Sequence, residues 1–219
     1  MKIKYLFITL FLPSLLFAQE DEKAEEILDR MAEKNKSYET ITAEFTIEFS
    51  NLQSEDYNRS KEGTIIIKGD KYKLDLNNSI VYYDGETMWN YLEKPNEVNI
   101  SEASSESGEQ QDILNHPNKI FELYKQDFKY KFIGNTTVNG RQVYEIDLFP
   151  RNLDEDYSRI RVKVLQENDI IYAAKVFGKD GARYNFTIDH MTTNESVPDS
   201  TFVFDESDYP DVEVIDMRF

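Results

Sequence analysis

The sequence predicts a mainly β protein of the α+β type, built on one antiparallel sheet that forms a barrel or a strongly curved surface and carries about three helical pieces. Three observations predict it. Apolar and polar residues alternate at period two in segment after segment, the pattern of strands with one wet face. Tight-turn pairs, Gly69-Asp70, Asp84-Gly85 and Asn139-Gly140, join these segments as hairpins. Ahead of them stands a single helix-period stretch. The even spacing of strands and turns favours a barrel or curved sheet over a sandwich.

The helix is predicted over Glu22 to Lys36, where Ala24, Ile27, Leu28 and Met31 recur at three- and four-residue spacing and make one apolar stripe. At Ile41 the period changes to two, with Ile41, Ala43, Phe45, Ile47 and Phe49 on one face and Thr42, Glu44, Thr46 and Glu48 on the other. The polar stretch Gln53 to Lys61 reads as a loop. Ile65 and Ile67, then Tyr72, Leu74 and Leu76, flank the Gly69-Asp70 turn. Ile80 to Tyr83 and Met88 to Tyr91 flank Asp84-Gly85, and Pro95-Asn96 leads into Val98 to Ile100. No parallel crossover is indicated.

Ser101 to Gln111 is polar and rich in Ser and Glu, a loop composition. Ile113, Leu114, Pro117, Ile120, Phe121 and Tyr124 then suggest one or two short helices, with Pro117 suited to a first helical turn. Strands resume at Phe128, Tyr130 and Phe132, turn at Asn139-Gly140, and continue through Tyr144 to Leu148, Ile160 to Val164, Ile170 to Phe177, Tyr184 to Ile188 and Phe202 to Phe204.

Lys2 and Lys4 precede the apolar run Tyr5 to Leu12, followed by Pro13 and Leu15-Leu16-Phe17-Ala18. These are the charged, hydrophobic and cleavage regions of a secretory signal, so residues 1–18 are expected to be removed and 19–219 to form one domain in the periplasm. The apolar run is shorter than the roughly 20 residues a spanning helix needs. There is no cysteine, so disulfides, a lipid-modified cysteine and thiolate chemistry are all excluded. A formal charge of −17 repels nucleic acid and anionic membrane surfaces; it serves solubility, or an acidic face for basic partners.

A search for chemistry returns little. The sequence has no glycine-rich phosphate loop, no His-Glu-x-x-His and no Gly-x-Ser-x-Gly elbow. Its two histidines, His116 before a proline and His190 at a strand end, have no second ligand nearby in sequence. Asp154-Glu155-Asp156 and Asp205 to Asp208 lack the central glycine of a calcium loop and read as solvated acidic runs. Neither an enzyme, nor a metal, nor a cofactor is expected. What needs a use is the apolar content, 14 Phe, 14 Tyr and Trp89, on the inner faces of a sheet with few helices to fill it. An incompletely filled interior that accepts lipid is one such use.

The order of features resembles the LolA family of outer-membrane lipoprotein carriers. The likeness rests on Ile27 to Met31 in the helix, Thr42-Ala43-Glu44-Phe45, Gly63 to Lys68, and Tyr72-Lys73-Leu74. It rests also on Tyr83-Asp84-Gly85-Glu86-Thr87-Met88-Trp89-Asn90-Tyr91, similar to the family's Asp-Gly-Lys-Thr-Leu-Trp-x-Tyr hairpin, and on the ending Phe202 to Phe204 with Tyr209 to Asp216. This resemblance implies an unclosed β-barrel, a half-barrel with a helical lid, that takes up the acyl chains of lipoproteins. Its partners would be acylated lipoproteins, an inner-membrane lipoprotein-release complex and an outer-membrane acceptor, and it would be a monomer. The concave lining is expected at Phe45, Ile47, Phe49, Ile65, Ile67, Tyr72, Leu74, Trp89 and Tyr91, with Ile113, Leu114, Ile120 and Phe121 on the lid. Where the family has a lid-gating arginine this chain has Gly69, leaving Lys68 or Lys71 as replacement cations. Two alternatives stand beside the carrier: a periplasmic sensor on the same half-barrel, and a hydrolase using one of the histidines.

Overall fold

A computed structural model describes residues 15–102 and 128–218, with side chains from Glu22 onward except at 54–57. The helix α1 (Leu15–Lys36) comes first. It begins seven residues before the predicted start, because nothing between Leu15 and Glu22 breaks a helix. Ala24, Ile27, Leu28 and Met31 are all buried, as the stripe requires. Lys34 and Lys36 in the last turn oppose the negative end of the helix dipole.

Twelve strands follow: β1 (Ile41–Asn51), β2 (Ser54–Lys68), β3 (Lys71–Asp75), β4 (Ser79–Tyr83), β5 (Thr87–Leu92), β6 (Glu97–Glu102), β7 (Phe128–Val138), β8 (Arg141–Pro150), β9 (Tyr157–Leu165), β10 (Ile171–Gly178), β11 (Ala182–Thr193) and β12 (Glu213–Asp216). They make one sheet in the order β12-β6-β5-β4-β3-β2-β1-β11-β10-β9-β8-β7. Two antiparallel meanders, β1 to β6 and β7 to β11, are joined where β1 pairs with β11. The outermost strands β7 and β12 do not pair, so the sheet is an unclosed barrel.

The turn chemistry holds. Gly69 has φ +57°, a left-handed conformation that glycine adopts without strain and an arginine would not. Asn139 and Gly140 take φ 50° and 79°, both positive as a type I′ hairpin turn requires.

Three expectations are corrected. The polar stretch before Ile65 is not a loop: β2 extends back to Ser54, and Glu48 pairs with Ser60 and Phe49 with Arg59, so backbone pairing to β1 carries a strand that has no apolar face there. Phe202 to Phe204 is not a strand; Asp199–Phe202 is a 3-10 turn and Phe202 is buried as a single anchor. A parallel pairing does exist. The chain crosses back after that turn so that β12 lies parallel to β6, Val214 opposite Val98.

Candidate functional site

Register fixes which side chains share a face, because residues directly opposite in neighbouring strands point the same way. Ile41, Ala43 and Phe45 of β1 stand opposite Ile67, Ile65 and Gly63 of β2. Ile65 and Ile67 stand opposite Leu74 and Tyr72 of β3, and those opposite Val81 and Tyr83 of β4. On the other side Phe45, Ile47 and Phe49 meet Ile188, Phe186 and Tyr184 of β11. All of these lie on the concave face.

That face carries two apolar clusters. In the first, α1 lays Ala24, Ile27, Leu28 and Met31 against Phe128, Ile146, Leu148, Ile160, Val162, Val164, Ile171 and Ala174 of β7 to β10. Leu28 and Ile146 are fully enclosed. In the second, Ile41, Ala43, Phe45, Ile65, Ile67, Tyr72 and Tyr83 form a floor edged by half-buried Ile47, Leu74, Val81, Met88, Phe186 and Met191. Among the described residues strands supply nearly all of this second cluster; Tyr38, just past α1, and Leu76, just past β3, join them. Among the described residues the first cluster has twelve buried and seven partly buried apolar side chains, the second seven and nine. The second is therefore the half with an incomplete apolar surface.

Local detail explains its shape. Gly63 sits opposite Phe45, and a Cβ there would come within 2.6 Å of the Phe45 ring. The absent side chain lets that ring lie flat on β2, where it also meets Phe186 at 4.8 Å between centroids. Burial pushes the Tyr72 hydroxyl far above its ordinary pKa, with the nearby Tyr83 adding to the effect, so the ring stays neutral in the apolar floor. Phe49 packs edge-on to Tyr184 near the open end of the strand pair.

Of the expected lining, Phe45, Ile47, Ile65, Ile67, Tyr72 and Leu74 come together in the second cluster, and Phe49 lies on the same face beyond it. Trp89 and Tyr91 do not. Tyr83 pairs with Met88 and Val81 with Asn90, which puts Met88 and Asn90 on the concave side and turns Trp89 and Tyr91 outward. There Tyr82, Tyr91, Val98 and Phe204 form an outer cluster joined by Trp89 and Tyr209. Phe204 and Tyr209 stack at 4.8 Å, and the Tyr82 and Tyr209 hydroxyls are 2.7 Å apart. The physical reason is the returning C-terminal segment: it covers the outer face of β4 to β6 and needs apolar residues beneath it. The expected lid residues Ile113, Leu114, Ile120 and Phe121 lie outside the described residues, as does His116.

Lys68 and Lys71 are spent on the same returning segment. Lys68 Nζ donates to the Val197 carbonyl at 2.9 Å and to Asp199 at 2.8 Å, and Lys71 Nζ donates to the other Asp199 oxygen at 2.7 Å. These bonds, the one from Lys68 first, hold the Asp199 carboxyl down at about 2. Residues missed by sequence reasoning are Tyr83, Val81 and Met88, which sit one position away from stronger aromatic signals, and Phe186 and Met191, whose pairing with β1 spans some 140 residues. The alternation of Tyr184, Phe186 and Ile188 was the available signal for Phe186, whereas Met191 falls out of that phase because the register with β1 shifts between Glu44 and Phe45. His190 is exposed on β11, opposite Glu44. Among the described residues no cluster of three His, Asp or Glu side chains could hold a metal ion.

An unclosed antiparallel half-barrel with an apolar concave face defines the class. A sequence model of the outer membrane lipoprotein carrier protein LolA matches residues 14–155, and the chain belongs to that family. A solved structure of an uncharacterized conserved protein from Thermus thermophilus superposes with a TM-score of 0.59 at 10% identity, covering 89% of this chain and 99% of that one. At that identity the likeness is one of fold. A LolA superfamily protein from Nitrosomonas europaea is similar at 13% identity and a TM-score of 0.43, over 83% of this chain and 97% of its own. By sequence, an uncharacterized protein of Methanocaldococcus jannaschii is 24% identical over 208 residues, 93% of this chain. The chain spans 58% of the length of that relative.

Proposed function

We propose that this protein carries acylated lipoproteins across the periplasm, from an inner-membrane release complex to an outer-membrane acceptor, and catalyses no reaction. The observation that carries the reading is the strand-built half of the concave face, where Ile47, Leu74, Val81, Met88 and Phe186 remain half-buried around an apolar floor. Membership of the carrier family supports it. Export supports it too, through the charged, apolar and small-residue pattern of residues 1–18.

Energetics set what such a carrier needs. Burying an acyl chain gains roughly 0.8 kcal/mol per CH₂, so a C16 chain is worth on the order of 10 kcal/mol. That is close to its gain in a bilayer, so hand-over is nearly balanced and an adaptable apolar surface suffices.

The test is native mass spectrometry of the protein co-expressed with a tri-acylated lipoprotein in a periplasm. The expected result is a one-to-one complex held through the acyl chains, absent for the unacylated lipoprotein. Equal recovery of acylated and unacylated forms, or neither, would contradict the carrier reading.

A further inference from the structure

The opposite, outer face of the sheet holds a second concavity of about 600 Å³ across β1, β2 and β8 to β11. Its character runs against the chain. In a protein with 42 acidic and 25 basic side chains, Arg161, Lys163, Lys175 and Arg183 of β9 to β11 gather in one groove, with Arg59 of β2 at its rim.

Of the cations of β9 to β11, two are already neutralised. Arg161 donates twice to the buried Asp147 carboxylate, at 2.7 and 2.9 Å, and Lys163 lies 3.3 Å from Glu145. The other two are not. Lys175 stands directly opposite Arg161 across the β9-β10 pair, and like charges so placed repel. Its recorded contact is the Phe177 ring at 5.7 Å. Arg183 lies 5.0 Å over the same ring and donates to the Gly178 and Ala182 carbonyls. Among the described residues neither Lys175 nor Arg183 has a carboxylate partner, and both are half-buried. Glu48, at the β1 edge of the groove, is occupied by the Asn185 amide at 2.9 Å.

Two half-buried cations, Lys175 and Arg183, held in one groove without a carboxylate of their own cost stability, and an arrangement of this kind persists where a ligand supplies the missing charge. We propose that the groove binds a phosphate monoester, its oxygens shared between Lys175 and Arg183. A phosphate monoester brings a charge of about −1.5 to −2 and three acceptor oxygens, which matches two cations better than one carboxylate does. The footprint is small. Lys175 and Arg183 are diagonal neighbours on adjacent strands, Lys175 opposite Asn185 and Arg183 opposite Phe177, a separation of roughly 7–8 Å that their long side chains span from either side of the Phe177 ring. Glu48 and Glu145 flank them on either side, which repels an extended polyanion. The phosphate can belong to a free organic phosphate or to a lipid headgroup, and the chemistry is common to both.

Phe49 borders this groove, but none of the groove's residues belongs to the second apolar cluster, so its failure leaves the carrier reading untouched. The experiment is calorimetric titration of the full chain with inorganic phosphate and with glycerol 3-phosphate, at ionic strength balanced with chloride. Saturable binding is expected, weakened at least tenfold in Lys175→Gln and in Arg183→Gln, largely kept in Lys175→Arg and unchanged in Lys129→Gln on β7. Binding of phosphatidic acid vesicles but not of phosphatidylcholine vesicles assigns the headgroup source, and binding of glycerol 3-phosphate with no preference for phosphatidic acid vesicles assigns a free organic phosphate. The unfolding midpoint of unliganded Lys175→Gln is expected at or above that of the unsubstituted chain, because a like-charge pair is removed. No saturable heat above the chloride baseline, or undiminished binding in the Lys175→Gln/Arg183→Gln double variant, overturns the proposal.

Discussion

The concave face has two halves made from the same alternating strands, and they end differently. Under α1, side chains of β7 to β10 meet a complementary helical stripe and close into a core with Leu28, Ile27 and Ile146 sealed inside. Around β1 to β4 and β11 the strands supply nearly all the apolar surface themselves, and more of its members are partly buried than buried. Period-two patterning specifies that a face is apolar; it does not specify what covers it. Stability therefore concentrates in the first half, and the second is the surface that the proposed carrier function would use.

The largest expected break in this comparison is Leu28→Ala. It removes a fully buried side chain and leaves a cavity, at a cost of about 3 kcal/mol in urea unfolding, with the m-value unchanged. Leu74→Ala, at the half-buried edge of the second cluster, is expected to cost about 1 kcal/mol or less yet to weaken a fluorescent acyl probe several-fold. If both substitutions lower stability and probe affinity in the same proportion, the halves are not functionally distinct.

Gly63→Ala sharpens the comparison from inside the second half. The new methyl would press on the Phe45 ring and the Asp75 carbonyl, both within 2.7 Å. Overpacking of this kind costs about 2 kcal/mol, and it shifts Phe45, so the unfolding midpoint and the probe affinity fall together.

Trp89 gives a smaller but cleaner effect, because it is the sole tryptophan and faces the outer cluster. Brominated acyl chains bound on the concave side are expected to leave its emission nearly unquenched, and Trp89→Phe to leave probe affinity unchanged. Strong contact quenching would reverse the face assignment of β5.

The smallest effect concerns the Lys68–Asp199–Lys71 bridge. Asp199 has its carboxyl lowered in the fold to about 2, so its contribution is present above the ordinary carboxylate range near 3.8 and is lost as pH falls through about 2. Hydrogen exchange around the β2-β3 turn and residues 197–202 is expected to quicken across that window. In Asp199→Asn the exchange, corrected for its intrinsic pH dependence, should already be fast at neutral pH and show no step across that window.

Much of the fold could be read from local pattern, since α1's stripe, the β1 alternation and the Gly69 and Asn139-Gly140 turns are each encoded within a few residues. What could not be read depends on partners far along the chain. The strand at Ser54 to Lys61 exists because β1 offers hydrogen bonds, and its own side chains give no sign of it. Trp89 and Tyr91 alternate as well as any lining pair, but a second apolar surface, supplied by Phe204 and Tyr209 more than 110 residues later, claims them. The loop Asp84 to Thr87 sets that phase by pairing Tyr83 with Met88, and a one-residue difference there exchanges the faces. Of the nine expected lining residues, Ile65, Ile67, Tyr72 and Leu74 sit together in the second cluster because β2 and β3 are joined by a tight, well-signalled turn that leaves little freedom of register, and Phe45 and Ile47 join them through the pairing of β1 with β2.

The most direct measurement of the central claim is competitive displacement of a fluorescent acyl probe, comparing the unsubstituted protein with Ile47→Asp and with Phe132→Asp. Ile47 edges the second cluster and Phe132 edges the first, both half-buried. The account predicts that Ile47→Asp reduces affinity at least tenfold while Phe132→Asp leaves it within about twofold, both proteins remaining folded by circular dichroism. Equal loss in the two variants, or loss confined to Phe132→Asp, would contradict the assignment of the strand-built half as the acyl-binding surface.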